Sequence, residues 1–255
     1  MLKQLIKYFL SKINFYHKNE IYKNILFREP DYLNFLEGLI ISEIAKKNNY
    51  KIIQIGAMDG KTGDPIYQII NNKLITNKIS LLAIEPQEKE FELLKKNYKG
   101  INNIEFSNTL VGNGDYVNFY TYKKTFKKRN NQGKLAGNTG NSSIMKSHLE
   151  KYIREAGHEN VDQYIDSVKM KSYKLKDIIT EHPNFKDANM LFIDAEGFDD
   201  EVIYNSSIDI YNFSIIGYEH KALTEDKIKK LHNFLEKKNY KIFRWKRSDE
   251  IAIKL

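Results

Sequence analysis

The chain has 255 residues, of which 41% are hydrophobic and none is cysteine. This length and hydrophobic content allow one large α/β domain or two small domains, and they exclude disorder throughout the chain. The absence of cysteine excludes disulfides, cysteine-ligated zinc and a thiol nucleophile. The net charge of +8 comes from lysines spread along the whole chain, so we predict no specific nucleic-acid partner.

The N-terminal segment predicts an amphipathic helix, because its apolar residues share one helical face. That face consists of Leu2, Leu5, Ile6, Phe9, Leu10 and Ile13. Two interpretations stay open: a helix that covers the domain core, or a peripheral membrane contact through residues 1–16, since basic amphipathic helices lie on anionic lipid. There is no run of 18 apolar residues and no recognisable signal peptide. We therefore expect a cytoplasmic protein, with the membrane surface as the alternative.

The next elements alternate between helices and buried strands. A second amphipathic helix, over residues 31–48, completes an N-terminal helical extension of residues 1–48. Short apolar runs then predict strands at 50–56, 79–85 and 104–111, and helical spacing predicts helices at 65–72 and 86–98.

A basic stretch over residues 123–141 interrupts this alternation. It is rich in Lys, Asn and Gly and poor in apolar residues, so we predict a long mobile loop at about 121–141, of the kind that often covers a binding site. Its Lys127, Lys128 and Arg129 can attract an anionic acceptor. A helix is predicted to follow over residues 142–157.

The alternation resumes in the second half of the chain. Strands are predicted at 190–194, 213–219, 240–245 and 250–255, with helices at 198–205 and 224–239. Alternating strands and helices are typical of a doubly wound, mostly parallel sheet. We predict one α/β domain over residues 49–255, ending in an antiparallel hairpin.

Two segments predict a cofactor site at the carboxyl edge of this sheet. The first strand ends in a glycine-containing turn, and the second ends in an acid that can accept from both ribose hydroxyls. The candidate cofactor residues are Gln54, Gly56, Ala57, Asp59 and Gly60 in the turn, with Glu85 and Pro86 after the second strand.

The spacing and charge of the turn discriminate between two cofactors. A dinucleotide fingerprint needs G-x-G-x-x-G, because the pyrophosphate lies on a helix N-terminus. The glycines here are Gly56, Gly60 and Gly63, which do not have that spacing. Asp59 would repel a pyrophosphate but suits a cationic sulfonium. The turn therefore favours S-adenosylmethionine over NAD.

Two later strands end in acidic residues that predict the reactive end of the site. Asp194 and Glu196 follow one strand, and Glu219 and His220 end the next. Neighbouring carboxylates raise one another's proton affinity and can act as a base, and a Glu–His pair can accept a proton near neutral pH. Asp194 and Glu196 can also bind Mg²⁺ or Ca²⁺. His148 is a further candidate, whereas Asp199, Asp200 and Glu201 are interpreted as favourable charges in a first helical turn.

These segments together resemble the FkbM-type methyltransferases, a branch of the class I S-adenosylmethionine-dependent enzymes. The matching stretches are residues 52–67, 81–98, 110–120, 141–149, 168–179 and 190–203, in family order. The Asp-x-Glu-Gly strand end at Asp194 is their most specific element. The turn departs from the family in lacking the Asn that often precedes its second glycine, and the basic loop is long.

The resemblance implies a Rossmann-like seven-stranded sheet. It also implies methyl transfer from S-adenosylmethionine to a hydroxyl of a sugar or another small polar acceptor. If the basic loop contacts this acceptor, we expect the acceptor to be an anion. The resemblance also implies cofactor contacts at Gly56, Asp59 and Glu85 and active-site acids at Asp194 and Glu196. A divalent metal is not required for this chemistry. Two rival functions stay open: a catalytically silent binding or assembly protein, and a nucleotide-dependent oxidoreductase.

Overall fold

A computed structural model of the chain describes residues 32–44, 49–72, 76–129, 135–137, 142–245 and 248–255. The predicted helix within residues 1–16 lies outside these ranges, so its membrane contact stays a prediction. None of the helices in these ranges has the length and apolar content that crossing a bilayer requires.

The main sheet has seven strands, as predicted. In spatial order they are β11 (Tyr240–Trp245), β12 (Asp249–Lys254), β10 (Ile215–Glu219), β9 (Met190–Ile193), β1 (Tyr50–Ile55), β2 (Ile79–Ile84) and β3 (Ile104–Ser107). The pairings from β10 through to β3 are parallel, whereas β12 runs antiparallel to both β10 and β11. The predicted mostly parallel sheet with a C-terminal antiparallel hairpin is therefore confirmed.

The strand order indicates where on the sheet a ligand is expected to bind. β1 lies between β2, the next strand in the chain, and β9, which comes more than 130 residues later. The strand order therefore reverses beside β1, and ligands of doubly wound sheets bind outside the carboxyl ends of the strands at such a point. The ends of β1, β2 and β9 carry the predicted turn, Glu85 and Asp194.

Helices cover both faces of the sheet, because the strands are apolar on both sides. One core cluster takes apolar side chains from α1 (Tyr32–Ile44), α2 (Pro65–Ile70) and α3 (Glu88–Asn97). The other takes them from α5 (Leu175–Glu181), α6 (Asp199–Asn205), α7 (Ile208–Tyr211) and α8 (Glu225–Lys237). Among the described residues, α4 (Lys146–Glu155) belongs to a third cluster. Leu36, Ile40 and Ile44 of α1 are buried against β1, so this helix packs on the sheet.

A second, three-stranded sheet was not predicted. It consists of β4 (Leu110–Val111), β8 (Ile165–Tyr173) and β5 (Tyr116–Tyr122), in the order β4-β8-β5. The predicted strand over 104–111 was wrong in joining β3 to β4. The chain leaves the main sheet after β3, where Asn108 Nδ2 donates to the carbonyl oxygen of Glu85 at 2.9 Å. Much of β8 is exposed, and Val168 keeps 53% of its surface, so its sequence lacks the apolar run of a buried strand.

The predicted loop over 121–141 was also wrong in part. β6 (Lys127–Arg129) pairs antiparallel with β7 (Leu135–Gly137), and β5 runs to Tyr122. Phe126 is 2% exposed and packs with Leu149 and Ile153 of α4, so one aromatic side chain anchors a polar segment. The helix predicted at 142–157 is shorter, because Ser143 forms a bridge to Tyr120 instead.

Candidate functional site

A cavity of about 590 Å³ opens at the carboxyl edge of the main sheet. This volume falls in the usual range of small-molecule sites, roughly 300–1,000 Å³. Predicted residues that line it are Gly56, Asp59, Glu85, Pro86, Asp194 and Glu196. The structure therefore brings the turn, the β2 acid and the β9 acids, which are far apart in sequence, into one cavity.

Glu85 is held at one end of this cavity by its own backbone surroundings. Its Oε2 accepts from the backbone N–H of Met58 at 2.9 Å and its Oε1 from that of Gln87 at 2.8 Å. The side chain is buried, and burial raises the pKa of Glu85 to about 7 against these two hydrogen bonds. Each oxygen keeps a lone pair, so a fixed carboxylate faces the cavity and can accept from a diol.

Asp59 lines the same cavity, and its carboxylate already accepts hydrogen bonds from residues of the same turn. Its carboxylate accepts from the backbone N–H groups of Lys61 and Thr62 and from the Thr62 hydroxyl, at 2.7 to 2.9 Å. Partial burial opposes the charged form, but these bonds outweigh it and hold the pKa of Asp59 below its usual value. The charge is therefore fixed at the cavity wall, where it favours a cationic ligand.

Two glycines of the turn allow neighbouring segments to pack closely. A Cβ on Gly56 would lie 1.9 Å from the carbonyl oxygen of Asp194, so this residue allows β1 and β9 to end side by side. A Cβ on Gly60 would lie 2.3 Å from Leu94 and 2.5 Å from Tyr98 of the segment around α3. At both positions an added Cβ would therefore collide with protein atoms of another segment.

Three of the predicted cofactor residues are not among the lining residues of this cavity. Gln54 is buried, and its Nε2 donates to Asp64, the residue that caps α2. Ala57 packs in the core cluster of α1 to α3, and Gly60 packs as described above. These residues support the turn from its buried side. A sequence motif cannot distinguish such supporting residues from residues that contact the ligand.

The acidic end of the site combines three carboxylates. One ligand atom each from Asp194, Glu196 and Glu219 lie within 4.8 Å of one another. Asp194 is solvent-accessible through the cavity, and it accepts no hydrogen bond from the residues that the structure describes. Desolvation of the carboxyl group by the surrounding protein atoms raises the pKa of Asp194 well above its usual value, and the negative charges of Glu196 and Asp199 raise it further. Burial and Glu196 also raise the pKa of Glu219 to about 7.

The sequence interpretation missed the role of Asp199. Asp199 lies in the first turn of α6, as predicted, but its side chain is also fully buried beside the acidic cluster, which the sequence did not indicate. Its carboxylate accepts from the backbone N–H of Ala195 at 3.3 Å and of Glu219 at 3.1 Å. Asp199 thereby joins the ends of β9 and β10 and sets the positions of Asp194 and Glu219. Adjacency to the Asp-x-Glu motif was the one available signal.

The predicted Glu219–His220 pair was wrong, because successive residues of an extended chain point to opposite sides. Neither residue lines the cavity, but Glu219 belongs to the acidic cluster, whereas His220 is 5% exposed and lies among the charged groups of Glu250 and Arg244. The histidine at the acidic cluster is His148 of α4, whose Nε2 lies 2.8 Å from Glu196 Oε2. Sequence order could not favour it, since nearly fifty residues separate it from Glu196.

The family is decided by a match to known domains. The sequence matches the Methyltransferase FkbM domain over residues 54–242, which is most of the chain. The chain belongs to the FkbM methyltransferase family. The match includes both the cofactor turn and the acidic strand ends, so it supports methyltransferase activity with S-adenosylmethionine as cofactor. No curated protein matches the sequence significantly.

Solved methyltransferases are similar at low identity. A precorrin-6y C5,15-methyltransferase from Geobacter metallireducens is 12% identical, with a TM-score of 0.41, and the match covers 86% of this chain and 88% of that one. A fibrillarin from Aeropyrum pernix with natively bound S-adenosyl-L-methionine is 11% identical, with a TM-score of 0.43 over 87% of this chain and 73% of that one. These likenesses are too distant to carry an argument about substrate, so the family assignment rests on the domain match.

Proposed function

We propose that this FkbM-family protein transfers the methyl group of S-adenosylmethionine to a hydroxyl oxygen of a sugar or another small polar acceptor. The observation that carries the proposal is the accessible carboxylate of Asp194, which faces the cavity beside Glu196 and has a raised pKa. A sulfonium methyl group is already reactive, so the protein needs mainly to align it and to accept the proton of the acceptor.

The cofactor half of the cavity fits an adenosine with a positive sulfur. Glu85 offers oxygens to the ribose hydroxyls, and Asp59 supplies a fixed negative charge. The sulfonium then extends towards Asp194, because Gly56 lies directly against the Asp194 backbone. We propose that this arrangement directs the methyl group to the acidic end of the cavity.

The acceptor loses a proton as the methyl group arrives. The hydroxyl proton passes to Asp194, an oxygen lone pair forms the new C–O bond, and the breaking S–C bond leaves its electrons on sulfur. Asp194 is the best base because Glu196 already contacts His148 and Asp194 has no internal partner among the described residues. Asp199 acts as a positioning residue. None of these steps requires a metal ion.

A second cavity supports a polar acceptor. It has a volume of about 350 Å³ and adjoins the first, since Ile144 and Phe198 line both. Asn118 and Glu201 offer hydrogen-bonding groups there, and Tyr120 offers an aromatic ring. Polar groups beside an aromatic surface suit a sugar, which presents both hydroxyls and an apolar face.

The charge of the acceptor is a separate part of the proposal. Three consecutive basic residues, Lys127, Lys128 and Arg129, make up β6. We propose that they attract an acidic or phosphorylated sugar. Replacing all three with Ala should raise the KM for an anionic sugar and leave that for a neutral one unchanged; equal effects on both would contradict the attraction.

The test is transfer of radiolabelled methyl from S-adenosylmethionine to matched acceptors: neutral sugars, their uronic acids, amino sugars and fully O-methylated sugars. We expect base-stable label, as in an ether, on sugars with free hydroxyls and none on the O-methylated controls. Base-labile label would indicate carboxyl methylation, and label that requires the amino group would indicate N-methylation; both would contradict the proposal.

Calorimetry with S-adenosylhomocysteine, with NAD as control, separates the rival functions. S-adenosylhomocysteine binding without transfer to any acceptor would favour a silent binding or assembly protein. NAD binding would favour an oxidoreductase.

A further inference from the structure

The acidic cluster contains a buried histidine atom that lacks a normal partner. His148 is 9% exposed, and its Nε2 atom is buried with no hydrogen bond to the residues that the structure describes. The same atom lies 2.8 Å from Glu196 Oε2, but the contact lacks the alignment of a hydrogen bond. A buried polar atom without a hydrogen bond costs roughly 1–3 kcal/mol. The unsatisfied Nε2 atom therefore indicates that His148 has a partner other than Glu196.

The position of His148 is fixed by its surroundings. Leu149 and Ile153 anchor α4 in the third core cluster. The Ser143 hydroxyl, just before α4, donates to the backbone carbonyl oxygen of Glu196 at 2.9 Å. The start of α4 is thereby tied to the loop that carries Asp194 and Glu196, and the imidazole is held at the cluster.

One distance in this cluster matches the spacing of neighbouring ligands around a metal ion. In an octahedral site with metal–ligand distances of about 2.1 Å, neighbouring ligand atoms lie about 3.0 Å apart and opposite ones about 4.2 Å apart. The Nε2–Oε2 distance of 2.8 Å corresponds to one edge of such a site. The three carboxylate atoms all lie within 4.8 Å of one another, a limit somewhat above the distance between opposite ligands, so the side chains must move for one ion to contact all of them. His148 adjoins this group through its contact with Glu196.

The ligand types indicate which cation. Three carboxylates alone would suit Mg²⁺ or Ca²⁺, which take oxygen ligands. An imidazole nitrogen shifts the preference towards divalent first-row transition metals such as Mn²⁺, Fe²⁺ and Zn²⁺. We infer that His148, Asp194, Glu196 and Glu219 form a binding site for a divalent first-row transition-metal ion. Bound at this position, the ion would supply Lewis acidity to an acceptor hydroxyl. Each residue offers one ligand atom, so the second oxygen of Asp194 would stay available to accept the proton.

The first test is Mn²⁺ titration of the purified, chelator-treated full chain, followed by the loss of the free-ion EPR signal. We expect one Mn²⁺ per chain, and pulsed EPR of the bound ion should show coupling to a directly bound imidazole nitrogen. This readout needs no variant and no turnover. Bound Mn²⁺ without nitrogen coupling, or fewer than about 0.1 ions per chain, would overturn the inference.

The second test uses a matched histidine. His182 also lies beside a carboxylate, with 2.7 Å between its Nδ1 and Glu105 Oε2, but outside the acidic cluster. His148→Gln should weaken Mn²⁺ binding about tenfold or more while changing Mg²⁺ binding far less, and His182→Gln should change neither. Equal Mn²⁺ affinity in His148→Gln, with a thermal unfolding midpoint like that of the parent, would show that the carboxylates act without the histidine.

The metal site and the proposed methyl transfer involve the same carboxylates, but different experimental results would contradict each of them. Metal binding without methyl transfer would leave the site in place and contradict the proposed function. Methyl transfer by a chain that binds no Mn²⁺ would contradict the metal site alone.

Discussion

The two ends of the cavity differ in how many hydrogen bonds the protein itself makes to its charged and polar side chains. At the cofactor end, Glu85 and Asp59 each accept at least two hydrogen bonds from neighbouring groups. At the acidic end, Asp194 accepts none from the described residues, and His148 Nε2 lacks a hydrogen bond. The protein itself therefore holds the acceptors at the proposed cofactor end, whereas the acidic end keeps groups without such hydrogen bonds among the described residues.

This difference separates binding from chemistry. Fixed acceptors lose little entropy when a ligand arrives, so the cofactor end is suited to affinity. A cluster of like charges with raised proton affinity is costly in the free protein but can accept a proton or a cation when substrate is present. Changes at one end should therefore alter affinity, and changes at the other should alter rate.

The largest effect is expected from removing the base. Asp194→Asn keeps the shape of the side chain but cannot accept the hydroxyl proton, so kcat should fall by roughly 10²–10⁴-fold. The Kd for S-adenosylhomocysteine, measured by calorimetry, should stay within about threefold, because the cofactor contacts are at the other end. A variant that retains more than a tenth of the parent kcat would exclude Asp194 as the base.

The next effect concerns the junction of the two ends, at Gly56. Gly56→Ala places a Cβ 1.9 Å from the Asp194 carbonyl oxygen and also strains a backbone with φ of 77°. Gly63 is the matched control, since its φ is 73° but nothing lies within 4 Å of its added Cβ.

Urea unfolding measures the difference between these two variants. Gly63→Ala should lose only the cost of the left-handed conformation, about 1–2 kcal/mol. Gly56→Ala should lose about 3 kcal/mol or more of unfolding free energy, because backbone atoms must also move. Equal losses would mean that β1 and β9 do not approach as closely as the added Cβ indicates.

A smaller effect is expected at Glu85. Glu85→Gln has one acceptor oxygen for the two backbone N–H groups of Met58 and Gln87, so one donor loses its partner. The cost of roughly 1–3 kcal/mol should appear as about tenfold or weaker S-adenosylhomocysteine binding. Glu88→Gln, an exposed change on α3, serves as the control. Unchanged affinity in Glu85→Gln would place the ribose elsewhere.

The smallest effect is a shift in pH dependence. The pKa of Glu219 is raised to about 7, so Glu219 is mostly neutral at pH 6 and mostly charged at pH 8. Its charge raises the pKa of Asp194, so Glu219→Gln should lower the pKa of Asp194 at pH 8 and change it little at pH 6. More of the Asp194 base is then ionised at pH 8, and the ratio of kcat/KM at pH 6 to that at pH 8 should fall by about threefold. An unchanged ratio would show that Glu219 does not affect the base.

The same pKa values set the direction of the stability change. Glu85 and Glu219 both have folded pKa values of about 7, above the usual 4.5. Between these values the folded chain binds more protons than the unfolded chain, so the unfolding free energy should fall as pH rises from 4.5 to 7. Glu85→Gln and Glu219→Gln should each flatten this slope.

Much of the fold could be predicted from the sequence because the decisive signals are local. The buried strands are continuous apolar runs, and the helices carry apolar residues at helical spacing, so their alternation determines a doubly wound sheet. The helix predicted from Thr224 begins there, because the Thr224 hydroxyl caps α8 by accepting from the backbone N–H of Lys227. The exposed β8 and the Phe126 anchor carry no such local signal.

The site divides in the same way. The sequence by itself determined which carboxylates end the strands, since a strand end is visible as the change from apolar to polar residues. Only the tertiary structure decided that Asp199 lies buried beneath the cluster, that His220 points away and that His148 takes its place. These outcomes depend on the relative placement of α4, β9 and β10, which arises from packing between segments far apart in the chain and leaves no periodic pattern within any one of them.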